Sequence, residues 1–271
     1  MDLFSGGSNV GVNVNAKRIV CVDKQKEIIR VMDLFKKYED GYIIDTLEKI
    51  INKYELSNSL LNGYEVYNCT SDKGLGSYNK NKYIQLRTDY NKMKEDSADK
   101  DFLFLTLIIY GFNNQIRFNS SGEFNMPVGK RDFNNSLRKN LKSFINVLKT
   151  KNIEFINSDF REIAIETADN TLVYCDPPYF LGTASYNENG GWTEQDEMDL
   201  LNYLSFLDSK GIKFALSNVI EHKGAKHKLL EAWINEHNYK IHFIKCDYNN
   251  SNYHKQEGNI TKTVEVLVTN Y

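Results

Sequence analysis

The feature that most constrains this chain is a strand–helix rhythm that starts, stops and resumes. Residues 1–37 read as strand, glycine turn, short helix, strand and helix. Ile19-Val20-Cys21-Val22 is an apolar run of strand length closed by Asp23, and Lys26 to Lys37 carries helical periodicity. From about 42 to 150 the alternation ceases. That stretch offers helical patterns at Ile43–Lys53, Asp99–Tyr110 and Leu137–Leu148, polar loops, and one hairpin pattern from Ile116 to Asn125 with Ser-Ser-Gly at its turn. After 152 the rhythm returns: strands are expected at Ile153–Asn157, Leu172–Cys175, Phe214–Leu216, Ile241–Ile244 and Val264–Val268. Helices such as Glu194–Leu207 and Lys223–Glu236 separate them. This alternation predicts an α/β fold, a sheet with helices on both faces. Residues 1–41 and 151–271 would form one discontinuous domain, with 42–150 inserted into it.

A chain of 271 residues, 41% hydrophobic and 26% charged, buries a full core without staples. No apolar run reaches the roughly 18 residues a membrane span needs, and Met1-Asp2-Leu3-Phe4 has no signal-peptide character. Cys21, Cys69, Cys175 and Cys246 are far apart, so neither a zinc site nor a disulfide scaffold is expected. The expectation is a cytoplasmic protein with no metal, no membrane association and no obligate protein partner. With 34 Lys and Arg against 36 Asp and Glu, the chain as a whole is no basic nucleic-acid binder. The charge is uneven, however: Lys130, Arg131, Arg138, Lys139, Lys142, Lys149 and Lys151 stand against Asp132 alone. A solvated helix face explains that stretch, and so does a patch touching phosphate.

Two of the three prolines are adjacent, in Leu172-Val173-Tyr174-Cys175-Asp176-Pro177-Pro178-Tyr179. A strand running into Asp-Pro-Pro-Tyr puts the motif at a strand's carboxyl end, where open α/β sheets place their ligands. Pro177 and Pro178 fix φ and remove two N–H donors, which stiffens the loop. The Asp176 carboxylate and the Pro177 carbonyl then offer two converging acceptors suited to an exocyclic amino group. Tyr179 supplies a flat face for a base, worth about 1–3 kcal/mol when stacked.

Asp-Pro-Pro-Tyr resembles the catalytic motif of amino-methyltransferases, which move a methyl from S-adenosylmethionine to adenine N6 or cytosine N4. Asp in first place leans to adenine, and Cys175, which follows no proline, disfavours a cytosine-C5 mechanism. Other landmarks of that family come in order. Asp2-Leu3-Phe4-Ser5-Gly6-Gly7 is similar to its cofactor turn, with Asp2, Phe4, Gly6 and Gly7 at the ligand. Asp23 stands where an acidic residue binds ribose hydroxyls, although a helix cap is the plainer role for an Asp there. Asn157-Ser158-Asp159-Phe160 resembles the element that holds the cofactor adenine, Asp159 on its amino group and Phe160 against its face. Phe214-Ala215-Leu216-Ser217-Asn218 matches a later strand motif and reads as mainly structural.

Within the insertion, Gly111 to Asn119 followed by Gly122 to Arg131 resembles the target-recognition hairpin of Dam-type (D12 class) N6-adenine DNA methyltransferases. The resemblance implies a Rossmann-like S-adenosylmethionine-dependent methyltransferase sheet carrying an inserted helical and β-hairpin target-recognition domain. It implies double-stranded DNA as substrate, GATC as the site and base flipping as the access route. Phe112 would fill the gap left by the flipped adenine. Asn113, Gln115, Arg117, Asn119, Pro127 and Arg131 would face bases or backbone, with Lys139 on a phosphate-facing helix. Arg117 would read guanine bidentately, its alternative being a cross-strand ion pair with Glu123. Relatives usually carry an aliphatic residue where Gln115 stands, so recognition of a thymine there is the open variable. Family members also begin about 30 residues earlier, with a Gly-Asn-Lys-like motif and most of the first strand of such a sheet. Without that segment a catalytically silent DNA-binding protein is the rival expectation. A nicotinamide-dependent dehydrogenase is disfavoured by Asp-Pro-Pro-Tyr and by the absence of a GxGxxG pattern.

Overall fold

The computed structural model describes residues 1–69, 74–165, 170–181, 191–244 and 263–271; Cys246 lies outside them. The elements run α1 (Asn9–Asn13), β1 (Ile19–Asp23), α2 (Lys26–Lys37), α3 (Asp40–Lys53), α4 (Ser59–Asn62), α5 (Gly76–Lys92), α6 (Ala98–Tyr110) and α7 (Asn135–Thr150). Then follow β2 (Ile153–Asn157), β3 (Leu172–Cys175), α8 (Glu194–Ser209), β4 (Lys213–His222), β5 (Ala225–Lys226), α9 (Lys228–His237), β6 (Lys240–Ile244) and β7 (Thr263–Thr269). The described chain divides into two compact units, Met1–Lys24 with Ile156–Tyr271, and Gln25–Phe155.

The first unit is the mixed α/β part. β3 and β4 are parallel, whereas β7 enters antiparallel between β4 and β6. β1 pairs with β2, the strand on which the chain returns. The ladder continues across Met1–Leu3: Asp2 bridges in parallel to Cys21 on one side and to Tyr174 on the other. Asp2 N–H donates to Val20 O at 2.8 Å, and Leu3 N–H to Tyr174 O at 3.0 Å. Three residues therefore act as a central strand, with the glycine turn at its carboxyl end. The core beneath is a cluster of fully buried side chains, among them Val173, Leu200, Leu204, Phe214, Leu216, Val266 and Val268. Leu200, Leu204 and Leu207, spaced i, i+4, i+7, turn one face of α8 into it. β4 runs well beyond Phe214–Leu216, with a bulge between Val219 and Glu221. The helix expected from Lys223 starts only at Lys228, because Lys223 and Gly224, both at positive φ, turn the chain so that β5 pairs back on β4.

The second unit is helical. α6, apolar from Phe102 to Tyr110 but for Thr106, packs against α2, α3 and α5, and α7 packs against α2 and α3. α2 bonds to α6 through Arg30, whose Nε and Nη2 donate to the two Asp101 oxygens at 2.8 Å each. The expected hairpin is present as a short pairing: Phe118 bridges Phe124, and Gly122 at φ +74° makes its turn. Among the described residues no helix is long and apolar enough to cross a membrane.

Candidate functional site

The glycine turn is tied to β1 by backbone and side chain. Ser5 N–H donates to Val22 O at 2.9 Å, and Gly6 N–H donates to Asp23 Oδ2 at 2.7 Å. Gly6 sits at φ +45°, a backbone conformation glycine adopts without strain, and a Cβ on either Gly6 or Gly7 would point into open space. Gly11 is needed for a different reason: a Cβ there would lie 2.5 Å from the Cys21 Sγ, so only bare backbone lets α1 lie on β1. Three buried polar atoms of this segment have no partner: Asp2 Oδ1, Ser5 Oγ and Ser8 Oγ. Burial pushes the Asp2 carboxyl up to about 6, against the opposing pull of the Gly11 backbone N–H. It also pushes the Cys21 thiol up to about 11, leaving that cysteine inert.

Asp176 follows β3 with part of its surface exposed, and burial of its carboxyl raises it above the usual range against the pull of the Tyr179 and Ser217 hydroxyls. Pro177 is buried and Tyr179 half-buried. The Tyr179 hydroxyl donates to Asp176 Oδ1 at 2.9 Å and lies 3.1 Å from Ser217 Oγ on β4. Ser217 thus holds the motif's tyrosine, a part not assigned to it from sequence. Its place near the carboxyl half of the strand next to β3 was the available signal. One cavity of about 210 Å³ is lined from both sides, by Asp2, Gly6 and Gly7 and by Tyr174 and Asp176. Burial also lifts the Tyr174 phenol to about 12.

Asp159 and Phe160 lie beyond β2. The Asp159 carboxylate caps the turn Phe160–Glu162, accepting Arg161 N–H at 3.1 Å, and stands 3.5 Å from Lys24 Nζ. Burial works to raise it, but the Arg161 backbone and guanidinium with Lys24 hold it below the usual range. Arg161 in turn spans to Asp196 at 2.6 Å and Asp199 at 2.7 Å, tying this turn to the start of α8. Phe160 is buried, its ring 5.5 Å from Phe4 and 6.0 Å from Trp192. These residues are continuous: Asp2, Phe4, Gly6 and Gly7 share the cavity with Asp176, Asp23 accepts from Gly6, and the Phe160 ring packs tilted at 45° against Phe4.

A carboxylate that sequence reasoning passed over sits beside them. Glu197, fully buried, accepts from the Trp192 indole N–H, from Asn218 Nδ2 at 2.9 Å and from His227 Nε2 at 3.0 Å. His227 Nδ1 accepts from Leu230 N–H at the start of α9, which leaves Nε2 to donate.

In the helical unit Phe112 is 43% exposed, and its N–H donates to Pro127 O at 2.9 Å. Asn113 and Asn114 follow at positive φ, and Asn114 Nδ2 caps α6 by donating to Ile108 O at 3.0 Å. Asn113, Pro127 and Arg131 are exposed, whereas Gln115, Arg117 and Asn119 are half-buried. Arg117 reaches across the hairpin, Nε to Asn125 Oδ1 at 2.8 Å and Nη2 to Asn125 O at 3.1 Å. Asn119 Nδ2 donates to Glu123 at 3.1 Å. The hairpin is clamped by side chains with no sequence signal: Asn91 exchanges two 3.0 Å bonds with Phe124, and Arg87 donates to Met126 O at 3.0 Å. Lys139 is exposed on α7.

A turn of bare glycines and a proline-stiffened acidic turn meeting at strand carboxyl ends define the class of ligand-binding α/β sheets. The family follows from comparison: the chain belongs to the D12 class N6 adenine-specific DNA methyltransferases, whose family model matches residues 1–250. It is 39% identical over 278 residues to the type II methyltransferase M.FokI of Planomicrobium okeanokoites, and 32% identical over 279 residues to the modification methylase StsI of Streptococcus sanguinis. Each alignment covers the whole of this chain but only 38% of the relative. The DNA adenine methylase of Escherichia coli K12 is 25% identical over 219 residues, 79% of this chain and 69% of that one.

Proposed function

We propose that the chain transfers a methyl from S-adenosylmethionine to N6 of adenine in double-stranded DNA. In this reading 1–41 and 151–271 form the methyltransferase domain and 42–150 the inserted target-recognition domain. The observation that carries it is the shared cavity: the glycine turn and Asp176, first residue of Asp-Pro-Pro-Tyr, open onto one space, as a donor and an acceptor that react directly require.

The residues fit the donor. Asp2 Oδ1 and Ser5 Oγ, of two residues that line the cavity, lack partners, and Gly6 and Gly7 leave open space where side chains would stand. Asp2, Gly6 and Gly7 would hold its amino-acid end, Asp23 its ribose, and Asp159, Phe160 and Phe4 its adenine. When bound it supplies a methyl on positively charged sulfur, already a good electrophile.

Asp176 and the Pro177 carbonyl accept the two N6 hydrogens and so keep the amino group in place. The raised proton affinity of the Asp176 carboxyl suits it to take up the proton N6 must lose. The Tyr179 hydroxyl gives up its bond to Asp176 and the ring stacks on the base. Reaching N6 requires flipping the adenine, at a cost of a few kcal/mol that Phe112 and Tyr179 stacking offset.

Methylating a randomised duplex library and sequencing the modified sites tests the reading, with modified adenine within GATC as the expected result. A motif lacking GATC would move the site and point to Gln115 as its cause, and no modified adenine would overturn the activity. In the same assay Arg117→Ala is expected to cost about 1–3 kcal/mol of discrimination at one guanine, once its bonds to Asn125 are exchanged for the base.

A further inference from the structure

The helical unit holds a basic cavity on α7, the helix whose Lys139 the sequence expectation turned toward phosphate. Asn135, Arg138, Lys139 and Lys142, spaced i, i+3, i+4 and i+7, share one face of α7 and with Ile44 of α3 line about 310 Å³. Arg138 is unlike its neighbours, with a side chain only 10% exposed. Its guanidinium lies 4.2 Å over the Phe133 ring, Nε donates to Phe133 O at 2.9 Å, and Nη1 pairs with Glu48 Oε1. Nη2, also buried, has no partner. A guanidinium pinned at its ring face, Nε and Nη1 has little orientational freedom left to lose, and its remaining fork arm carries an unmet desolvation cost.

Charge favours an anion as the missing partner. Glu48 answers Arg138, and Asp40 stands 3.9 Å from the exposed Lys142. Lys139 enters no ion pair among the described residues, so of the three cations along the first half of α7 only Arg138 and Lys142 have a carboxylate partner, Glu48 and Asp40.

We infer that this cavity binds a phosphate group, received by Arg138 Nη2 and closed over by Lys139 and Lys142. The inference deepens the DNA reading by naming a phosphate contact on α7, and rests on that reading only for the phosphate's source, a duplex backbone or free inorganic phosphate. The test has two arms. In the first, thermal unfolding is followed against inorganic phosphate, with chloride at matched ionic strength as control. The wild-type midpoint should rise, and Lys142→Gln, an exposed and fold-neutral change, should remove most of the rise. Arg138→Lys, which keeps the charge toward Glu48 but loses the fork, should do the same. In the second arm, duplexes with a single neutral methylphosphonate at successive positions are titrated. A backbone source shows one position that weakens the wild type but not Lys142→Gln, with the salt slope falling by about one unit. A phosphate-dependent rise with no such position assigns the site to free phosphate. A flat response to phosphate together with no sensitive backbone position overturns the inference. The first arm reads the site even if the chain binds no DNA, so failure of the site and failure of the DNA reading are separable.

Discussion

Asp2 and Glu197 are both carboxylates withdrawn from water in the sheet unit, 4% and 0% exposed, and the fold treats them in opposite ways. Glu197 collects donors from Trp192, Asn218 and His227 and so joins α8, β4 and the start of α9. Asp2, which lines a cavity, keeps one buried oxygen without a partner, and Ser5 Oγ of the same lining is similarly unanswered. A buried polar group whose bonds are all met stabilises the fold, while one left unmet at a cavity wall costs stability until a ligand completes it. The difference separates the frame of this site from its receiving surface.

The largest expected effect lies on the receiving surface, where Asp176→Ala should abolish methyl transfer and leave duplex binding nearly intact. Retained transfer within about tenfold of wild type, or about 1.4 kcal/mol, would make Asp176 an ordinary contact. In the frame, Glu197→Ala strands the buried Asn218 and His227 donors and the half-buried Trp192 indole, so chemical denaturation should show a loss of about 1–3 kcal/mol for each buried donor left unmet. A loss below about 1 kcal/mol would mean water substitutes readily, erasing the contrast with Asp2.

The smallest effect has the opposite sign. The Asp2 carboxyl is raised from 3.8 to about 6, so the folded state holds its proton more tightly than the unfolded chain does. No penalty is present below 3.8; it accumulates as pH rises toward 6 and above that is complete, at about 3 kcal/mol. Asp2→Asn should therefore stabilise the ligand-free protein at neutral pH and flatten stability against pH across that window. Calorimetry with S-adenosylmethionine should at the same time show weaker binding. A variant that is less stable than wild type at neutral pH would show that Asp2 belongs to the frame.

Much of the architecture is written in local pattern. β1, β2 and β3 fall where runs of apolar and β-branched residues predict them, and α2, with apolar residues at helical spacing, keeps its expected bounds. α5 carries no such signal, because its buried face is made of Asn79, Tyr83, Leu86 and Tyr90, three of them bearing polar tips. Asn79 is the clear case: its amide bonds Ser57 N–H and Ser57 Oγ at 2.8 Å each, a pairing 22 positions away in the chain. Arg87 and Asn91 on the same helix clamp the hairpin for a like reason.

For the site, sequence alone determined residue types and order: a glycine turn, an acid after a strand, and Asp-Pro-Pro-Tyr after another. These follow from short-range chemistry, since φ at glycine and proline and the polarity of a strand end are local properties. Tertiary structure decided what each group touches. It threaded Met1–Leu3 between β1 and β3, which brings Asp2 and Asp176, 174 positions apart, onto one cavity. It set Ser217 against Tyr179, bound Asp159 to Arg161 and Lys24, and closed three donors on Glu197 while leaving Asp2 unmet. Whether a buried polar group is satisfied depends on partners from distant segments meeting within about 3 Å, and that is settled only when the sheet has assembled.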